Sequence, residues 1–355
     1  MAQITIVGAG IVGMATASML SRHHKVTIVA RNLPGDKPSI EWASPWAGVS
    51  FIAGGCSSPA EAKMQLDAFA ELWRWSDAYP ESSIKKIPIE DFHDDKTEDD
   101  IWWKEYMPEF RFLPPESLPK GAKLGTACKY LAQGPKKQLY CTNHLTDKSL
   151  ILNPDIFLPW LRQRLESMGV QFKRMTLNSL SEARSLGHDV LVNATGFGSL
   201  TLNDVRDQNV ELIRGQTMLV RSNYDKLFMR DTGDTYTYVI PRLDGTAILG
   251  GTRHKGSADP NPDWDLCQDI VKRVNKNLPN HFSSNLQDYQ IVRHNVGIRP
   301  SRINGVRVER EIKDGQVIVH AYGVAGGGYI FSFGIARAAR DLVEGYLFPH
   351  HPAKL

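Results

Sequence analysis

Cysteine is scarce in this chain: Cys56, Cys128, Cys141 and Cys267 are the only four in 355 residues. No two form a Cys-x-x-Cys pair, so zinc ribbons and thioredoxin-like redox motifs are excluded and no metal site is expected. The thiols read as free cysteines of a reducing compartment. Cys128 and Cys141 flank one loop-rich segment and are the pair to test for a bridge. Charge of one sign is also missing. The 42 basic and 39 acidic residues leave a formal net charge of +3. There is no Lys/Arg block of the kind that tracks phosphates, so nucleic acid is not an expected partner. No apolar run reaches the roughly 18 residues of a transmembrane helix. The opening segment, Met1 to Val7, lacks a basic stretch and enters a strand directly, unlike a signal peptide. Internal repeats are absent too.

What is present is ordinary globular composition, 42% hydrophobic and 23% charged, in a chain long enough for two domains. The first segment is the most legible. Ile4, Ile6 and Val7 form a short apolar run of the buried parallel-strand type. Gly8-Ala9-Gly10-Ile11-Val12-Gly13 follows, then a small-residue helix from Met14 to Leu20, then a strand from Val26 to Ala30. Strand, glycine-rich turn, helix and strand in this order predict a dinucleotide site. Gly8 makes the tight turn, Gly10 admits a pyrophosphate, and Gly13 allows close helix–strand contact. The pyrophosphate would sit at the helix N-terminus, where free N–H groups favour anions. Arg31-Asn32 stands where an acid would hold the ribose hydroxyls. Asn32 can still bond a ribose, and Arg31 could meet a 2′-phosphate, which leaves NADP open.

Residues 60–79 predict a helix with Met64, Leu66, Phe69, Leu72 and Trp73 on one face. The acidic stretch from Glu90 to Asp100 reads as a solvated loop. Asn153 as N-cap and Pro154 at the first position predict a helix with Phe157, Leu158, Leu161 and Leu165 buried. A buried strand ending in a small-residue turn follows at Asp189 to Gly196. Between 211 and 252 the pattern changes to alternating strands, Thr217 to Val220, Tyr236 to Ile240 and Thr246 to Leu249, which predicts an antiparallel sheet. A last strand, Val317 to Ala321, leads through a glycine-rich turn into a helix over 330–347 that buries Ile335, Ala339, Leu342 and Tyr346. The expected fold is therefore α/β. A discontinuous Rossmann-like domain from 1–50, 151–200 and 290–355 binds the dinucleotide. A largely antiparallel substrate domain comes from 51–150 and 201–289.

Six segments together resemble the D-amino-acid oxidase family, in the family's order and over nearly the whole chain. They are Val7 to Gly13, Ala43-Ser44-Pro45-Trp46-Ala47-Gly48, Val192 to Gly196, Arg214-Gly215-Gln216, Gly297-Ile298-Arg299-Pro300, and His320 to Gly323 continuing through Gly328-Tyr329. The resemblance implies non-covalent FAD, a two-domain fold and transfer of hydride from the substrate α-carbon to flavin N5. It implies cofactor contacts from Gly8, Ala9, Gly10, Ile11, Val12, Gly13, Arg31, Asn32, Ala43, Ser44, Ala47, Gly48, Leu177, Thr195, Gly297, Arg299, Ala325, Gly326, Gly328, Tyr329 and Ile330. It makes Arg299 the grip on the α-carboxylate, through paired charge-assisted hydrogen bonds, with Tyr238 assisting and the Gly326 carbonyl accepting from the α-amino group.

Two further segments, Phe228-Met229-Arg230-Asp231 and Leu249 through Gly256, look like the versions found in D-aspartate oxidases. By that resemblance Arg230 and Arg253 would meet a side-chain carboxylate, Arg230 the less securely because one extra residue lies between it and Pro241. A buried carboxylate without a partner is costly, so a dicarboxylate site needs a second cation. Tyr236, two residues before Tyr238, either lines the pocket or packs on the sheet. His254, His294 and His320 have no required part in a hydride mechanism. The expected enzyme oxidises D-aspartate with dioxygen to oxaloacetate, ammonia and hydrogen peroxide. Other readings are an oxidase of neutral D-amino acids, an NADP-dependent dehydrogenase, or a dinucleotide-binding protein without turnover. The C-terminal Ala353-Lys354-Leu355 is a variant of the Ser-Lys-Leu peroxisomal address, so an import receptor and the peroxisomal matrix are expected. A homo-oligomer is left open.

Overall fold

The computed structural model describes residues 1–108, 110–128, 149–232 and 236–349. The expectations for Ala353-Lys354-Leu355 and for a Cys128–Cys141 bridge fall outside them.

Apolar runs covered on both faces build the first sheet. Its order is Arg307–Lys313, Gln316–Tyr322, Val190–Asn193, Gln3–Val7, Lys25–Ala30 and Gln171–Arg174. All neighbours are parallel except the first pair, which is a hairpin. Ile4, Ile6, Ile28, Val190, Val192 and Val319 are buried there, as parallel strands between helices require. Helix Ile11–Leu20 is buried along its whole length. Helix Pro154–Ser167 starts as its sequence predicts: Pro154 opens it, the Asn153 side chain accepts from Asp155 N, and the four expected apolar residues are buried.

Two helices depart from their predicted faces. In Gly328–Leu347, Ile335 and Ala339 are buried, but the next buried position is Val343. Tyr346 is exposed and lies beside the Arg310 guanidinium. In Pro59–Ala78, Phe69 and Leu72 are buried, but Glu61, Gln65, Ala68, Glu71 and Trp75 take the remaining inward places instead of Met64, Leu66 and Trp73. The reason is the neighbour. A Cβ on Gly334 would fall 2.1 Å from the Met64 carbonyl oxygen, so the two helices cross backbone to backbone. The flanking inward positions then meet polar groups. Glu61 accepts from Ser57 N at 2.6 Å and Val306 N at 2.8 Å, and Arg337 pairs with Glu71 at 3.3 Å.

The second sheet is largely antiparallel. Its order is His254–Lys255, Val210–Arg221, Thr246–Gly250, Tyr236–Pro241, Leu227–Asp231, Ile89–His93, Leu124–Cys128 and Phe110–Phe112, with Ile291–Arg302 also pairing with Val210–Arg221. Alternation gives it two faces. Phe228, Val239, Met218 and Leu249 pack under the amphipathic helix Trp264–Asn277. Tyr238, Ile240, Leu227 and Ile248 point the other way. The stretch expected as a solvated acidic loop begins as a strand of this sheet. Ile89–His93 pairs in parallel with Leu227–Asp231, and Asp91 and His93 are buried. The domain boundaries drawn from sequence also cut across the layers. Pro59–Ala78 packs in the core of the parallel-sheet half, and Ile291–Arg302 belongs to the antiparallel sheet.

Candidate active site

A cavity of about 740 Å³ runs between the two sheets. One limb is built from the carboxyl ends of the parallel strands: Val7-Gly8, Ala30 to Asn32, Met175 to Leu177, Ala194 to Gly196 and Ala321 to Gly323 all line it. Open parallel sheets bind ligands at this edge. The turn after the first strand is made tight by contact. A Cβ on Gly8 would lie 2.3 Å from the Ala194 carbonyl oxygen, and one on Gly13 would lie 2.0 Å from the Gly8 carbonyl oxygen. Gly13 itself does not line the cavity; it seats the helix against the turn. Gly10 is the N-cap of Ile11–Leu20. Ser44 bridges to that helix end, its hydroxyl oxygen accepting from Ile11 N at 3.0 Å.

The middle of the cavity is bounded by the 3₁₀ turn Ser44–Trp46, by Ala47 and Gly48, and by the start of helix Gly328–Leu347. Trp46 packs on Gly297, where a Cβ would come within 2.7 Å of its ring. Tyr329 is buried and donates to the Ser44 carbonyl at 3.1 Å. Ala325 is held in the left-handed region at φ 48°, a conformation uncommon for non-glycine residues. It redirects the chain so that Gly326 packs on the Arg299 stem.

The other limb is walled by the antiparallel sheet. Tyr236, Tyr238, Met229, Asp231, Arg253, Asp91, His93 and Lys96 line it, with Arg299 between the limbs. Arg299 Nη1 donates to the Thr252 carbonyl at 2.7 Å. Its guanidinium lies against Gly215, where a Cβ would be 2.5 Å away. Tyr238 packs in the same way on Gly250 and Gly251. Burial pushes the Tyr238 phenol well above its usual value, so it is a hydrogen-bond donor at any ordinary pH. Tyr236 lies 5.3 Å from Tyr238, ring centre to ring centre, and donates to the Thr252 carbonyl at 3.3 Å. Tyr236 therefore both lines the cavity and packs on the sheet. Arg253 stacks 3.9 Å over the Tyr236 ring and pairs with Asp231 at 3.3 Å.

The description "FAD dependent oxidoreductase" matches residues 3–342 of the chain. A D-amino-acid oxidase of Fusarium vanettenii is 31% identical, with 96% of each chain covered. A D-aspartate oxidase of Talaromyces thermophilus is also 31% identical, over 96% of this chain and 95% of that one. The chain belongs to the D-amino-acid oxidase family of FAD-dependent oxidoreductases. Among solved structures, a glycine oxidase from Geobacillus kaustophilus shares the fold with a TM-score of 0.74 at 16% identity, covering 97% of this chain and 95% of that one.

The residues of the first limb fit the FAD this family uses. Glycines close the turn beneath a helix N-terminus that can face a pyrophosphate. Arg31, Asn32 and Leu177 line the far end, where the adenosine half would lie. Arg31 is already held by Glu41, at 2.5 Å, and Asn32 Oδ1 accepts from Ser39 Oγ at 3.2 Å. The start of helix Gly328–Leu347 faces the middle of the cavity, where its dipole would favour negative charge on a bound flavin. Ala9, Ile11, Val12, Ala43, Thr195, Gly328 and Ile330 also line the cavity.

Arg230 is the exception. It does not line the cavity, because the strand alternates: Met229 and Asp231 face inward, opposite Tyr238 and Tyr236, and Arg230 faces away with Thr237. There it is buried, bonded to both Asp94 carboxylate oxygens at 3.0 Å, to Asn277 at 2.9 Å and to the Lys120 carbonyl at 3.1 Å. The three histidines are also elsewhere. His320 is buried between Asn193 and Glu311, His294 lies against Cys267 and Trp264, and His254 is exposed. Among the described residues no cluster of His, Cys, Asp or Glu could hold a metal ion, and no helix is long and apolar enough to cross a membrane. Sequence reasoning missed Asp91, His93 and Lys96. The alternation Ile89, Asp91, His93 was the available signal, and its charges concealed it.

Proposed function

We propose that this chain is an oxidase of acidic D-amino acids, with D-aspartate, dioxygen and water giving oxaloacetate, ammonia and hydrogen peroxide. The observation that carries this reading is that Arg253 lines the substrate limb and Arg299 stands where the two limbs meet, with the Tyr236–Tyr238 pair beside them. Bound FAD supplies the chemistry that side chains lack, accepting the α-hydrogen as hydride and passing electrons to dioxygen.

The protein's part is orientation. Arg299 turns a planar fork toward an α-carboxylate, and Tyr238, kept protonated by burial, adds a donor. The Gly326 carbonyl accepts from the α-amino group. With these contacts fixed, the side chain of a D-amino acid extends into the cationic end of the limb, which Arg253 and Lys96 both line. A site built around charge rejects substrates that leave its own charge unpaired.

A second reading, an oxidase of neutral D-amino acids, draws support from Asp231. It already pairs with Arg253, and Met229, Ile52 and Ile240 add apolar wall. Hydrogen peroxide release by the FAD-loaded protein separates the two. Strong release with D-aspartate, weak release with D-alanine and none with L-aspartate supports the acidic reading. The reverse order of the two D-amino acids favours the neutral one. Silence with all three removes both. We also propose peroxisomal import through Ala353-Lys354-Leu355. A fluorescent fusion carrying this tail should become punctate, and deleting the three residues should make it diffuse.

A further inference from the structure

We propose that Lys96 is a specificity-determining residue that receives the distal carboxylate of an acidic substrate. This deepens the reading above and rests on it. The argument is an accounting of charge in the substrate limb. Two of its cationic or protonatable groups already face a carboxylate of the protein: Arg253 pairs with Asp231 at 3.3 Å and His93 contacts Asp91 at 3.0 Å. Arg299 has a carbonyl partner, Thr252, and no carboxylate within ion-pair distance among the described residues. Lys96 is in the same position. It lines the cavity and is half-buried, and its ammonium lies 5.4 Å from the ring centre of the buried Trp103. Asp100, whose carboxyl feels the field of Lys96, lies beyond ion-pair distance. It is fixed instead by Thr97 N and Thr97 Oγ1, both at 2.8 Å. Among the described residues the wall therefore offers two cations with no carboxylate at ion-pair distance, and an acidic amino acid brings two carboxylates. A neutral amino acid would leave one partly desolvated ammonium unpaired, which is costly.

The mount for Lys96 is rigid. The Asp94 carboxylate accepts from Nε and Nη2 of Arg230, and the Asp94 N–H donates to the Asp231 carbonyl at 3.1 Å. The Thr97–Asp100 capping box holds the chain on the other side. Arg230, expected from sequence to touch the substrate, is instead a positioning residue for the segment that carries Lys96.

The test uses the FAD-loaded protein and the variants Lys96→Met and Lys96→Arg. Succinate and butyrate have the same chain length and differ by one carboxylate, so their dissociation constants, read from the flavin absorption spectrum, isolate the distal contact. Wild type should prefer succinate. Lys96→Met should lose that preference and lower the D-aspartate to D-alanine ratio of kcat/KM by about 10- to 100-fold, chiefly through the KM for D-aspartate, as loss of a partly desolvated charge pair implies. Lys96→Arg should recover most of both. If wild type prefers succinate and Lys96→Met keeps that preference, the assignment of Lys96 is overturned and the acidic reading stands. An equal loss for D-aspartate and D-alanine would make Lys96 structural and also overturn it. If wild type neither prefers succinate nor oxidises D-aspartate, the acidic reading fails and Lys96 with it.

Discussion

The two limbs of the cavity are made of different material. The cofactor limb is mostly backbone: glycine turns, strand ends and helix N-termini, much of it from the first and last segments of the chain. The substrate limb is made of long polar side chains brought together from strands far apart in sequence, 89–93, 227–231, 236–241 and 291–302. A site made of backbone depends on a few small residues at fixed spacing. A site made of side chains depends on which face of each strand is turned inward, and that is set by pairing.

The largest expected effect follows from the first half of this contrast. Gly13→Ala would place a methyl 2.0 Å from the Gly8 carbonyl oxygen, a backbone atom that cannot yield without moving the turn. The variant should purify without bound FAD, seen as loss of the visible flavin spectrum. Retention of full FAD content would mean that the limb is less backbone-dependent than its geometry implies.

Arg299→Leu comes next. It removes the carboxylate grip while leaving the first limb intact, so the protein should still bind FAD. Loss of a two-point charge-assisted contact in a desolvated site costs about 4 kcal/mol, or roughly a thousandfold in kcat/KM. Because the α-carboxylate is common to all amino acids, D-aspartate and D-alanine should suffer alike. A loss confined to D-aspartate would place Arg299 at the side chain and break the assignment of the two ends.

The contrast also decides what could be read beforehand. The segment Gly8 to Gly13 is legible because tight turn, close approach and helix packing each demand glycine at one position. Asn153 and Pro154 are legible for a similar reason, since capping is local. Arg230 and Arg253 both lie in segments that resemble the D-aspartate oxidase versions, Arg230 the less securely, and only Arg253 reaches the cavity. The difference is the register that sets Asp231 opposite Tyr236, which no local pattern contains. Asp91 and His93 were hidden further. Their burial depends on a parallel partner, Leu227–Asp231, far along the chain, so charge alone made the segment look solvated.

Arg230→Leu sharpens that point. If Arg230 held substrate, its loss would raise KM and spare the fold. In this arrangement it leaves the Asp94 carboxylate, 23% exposed, without its guanidinium. A mostly buried charge that loses its partner costs about 3 kcal/mol. A clear fall in melting temperature is therefore expected, with any change in D-aspartate KM secondary to it. An unchanged melting temperature with a raised KM would return Arg230 to the site.

The smallest effect concerns the tie between the two halves. Asp207 Oδ2 accepts from Arg302 Nε at 2.8 Å and from the Tyr322 hydroxyl at 2.9 Å, and Oδ1 accepts from Asn209 N at 3.0 Å. Arg302 ends a strand of the antiparallel sheet and Tyr322 ends one of the parallel sheet. Burial alone would raise the Asp207 carboxyl, but the Arg302 guanidinium and the other donors hold it below its usual value. A carboxyl depressed on folding adds stability above its unfolded pKa, about 4, and that contribution disappears as pH falls through the lower folded value. Asp207→Asn should therefore cost about 2 kcal/mol near neutrality, the scale of a hydrogen bond to a charged partner. The gap between the melting curves of wild type and variant should then close below pH 4. A gap that stays constant across this range would mean that the tie is steric packing of the two sheets, with the carboxylate charge contributing nothing.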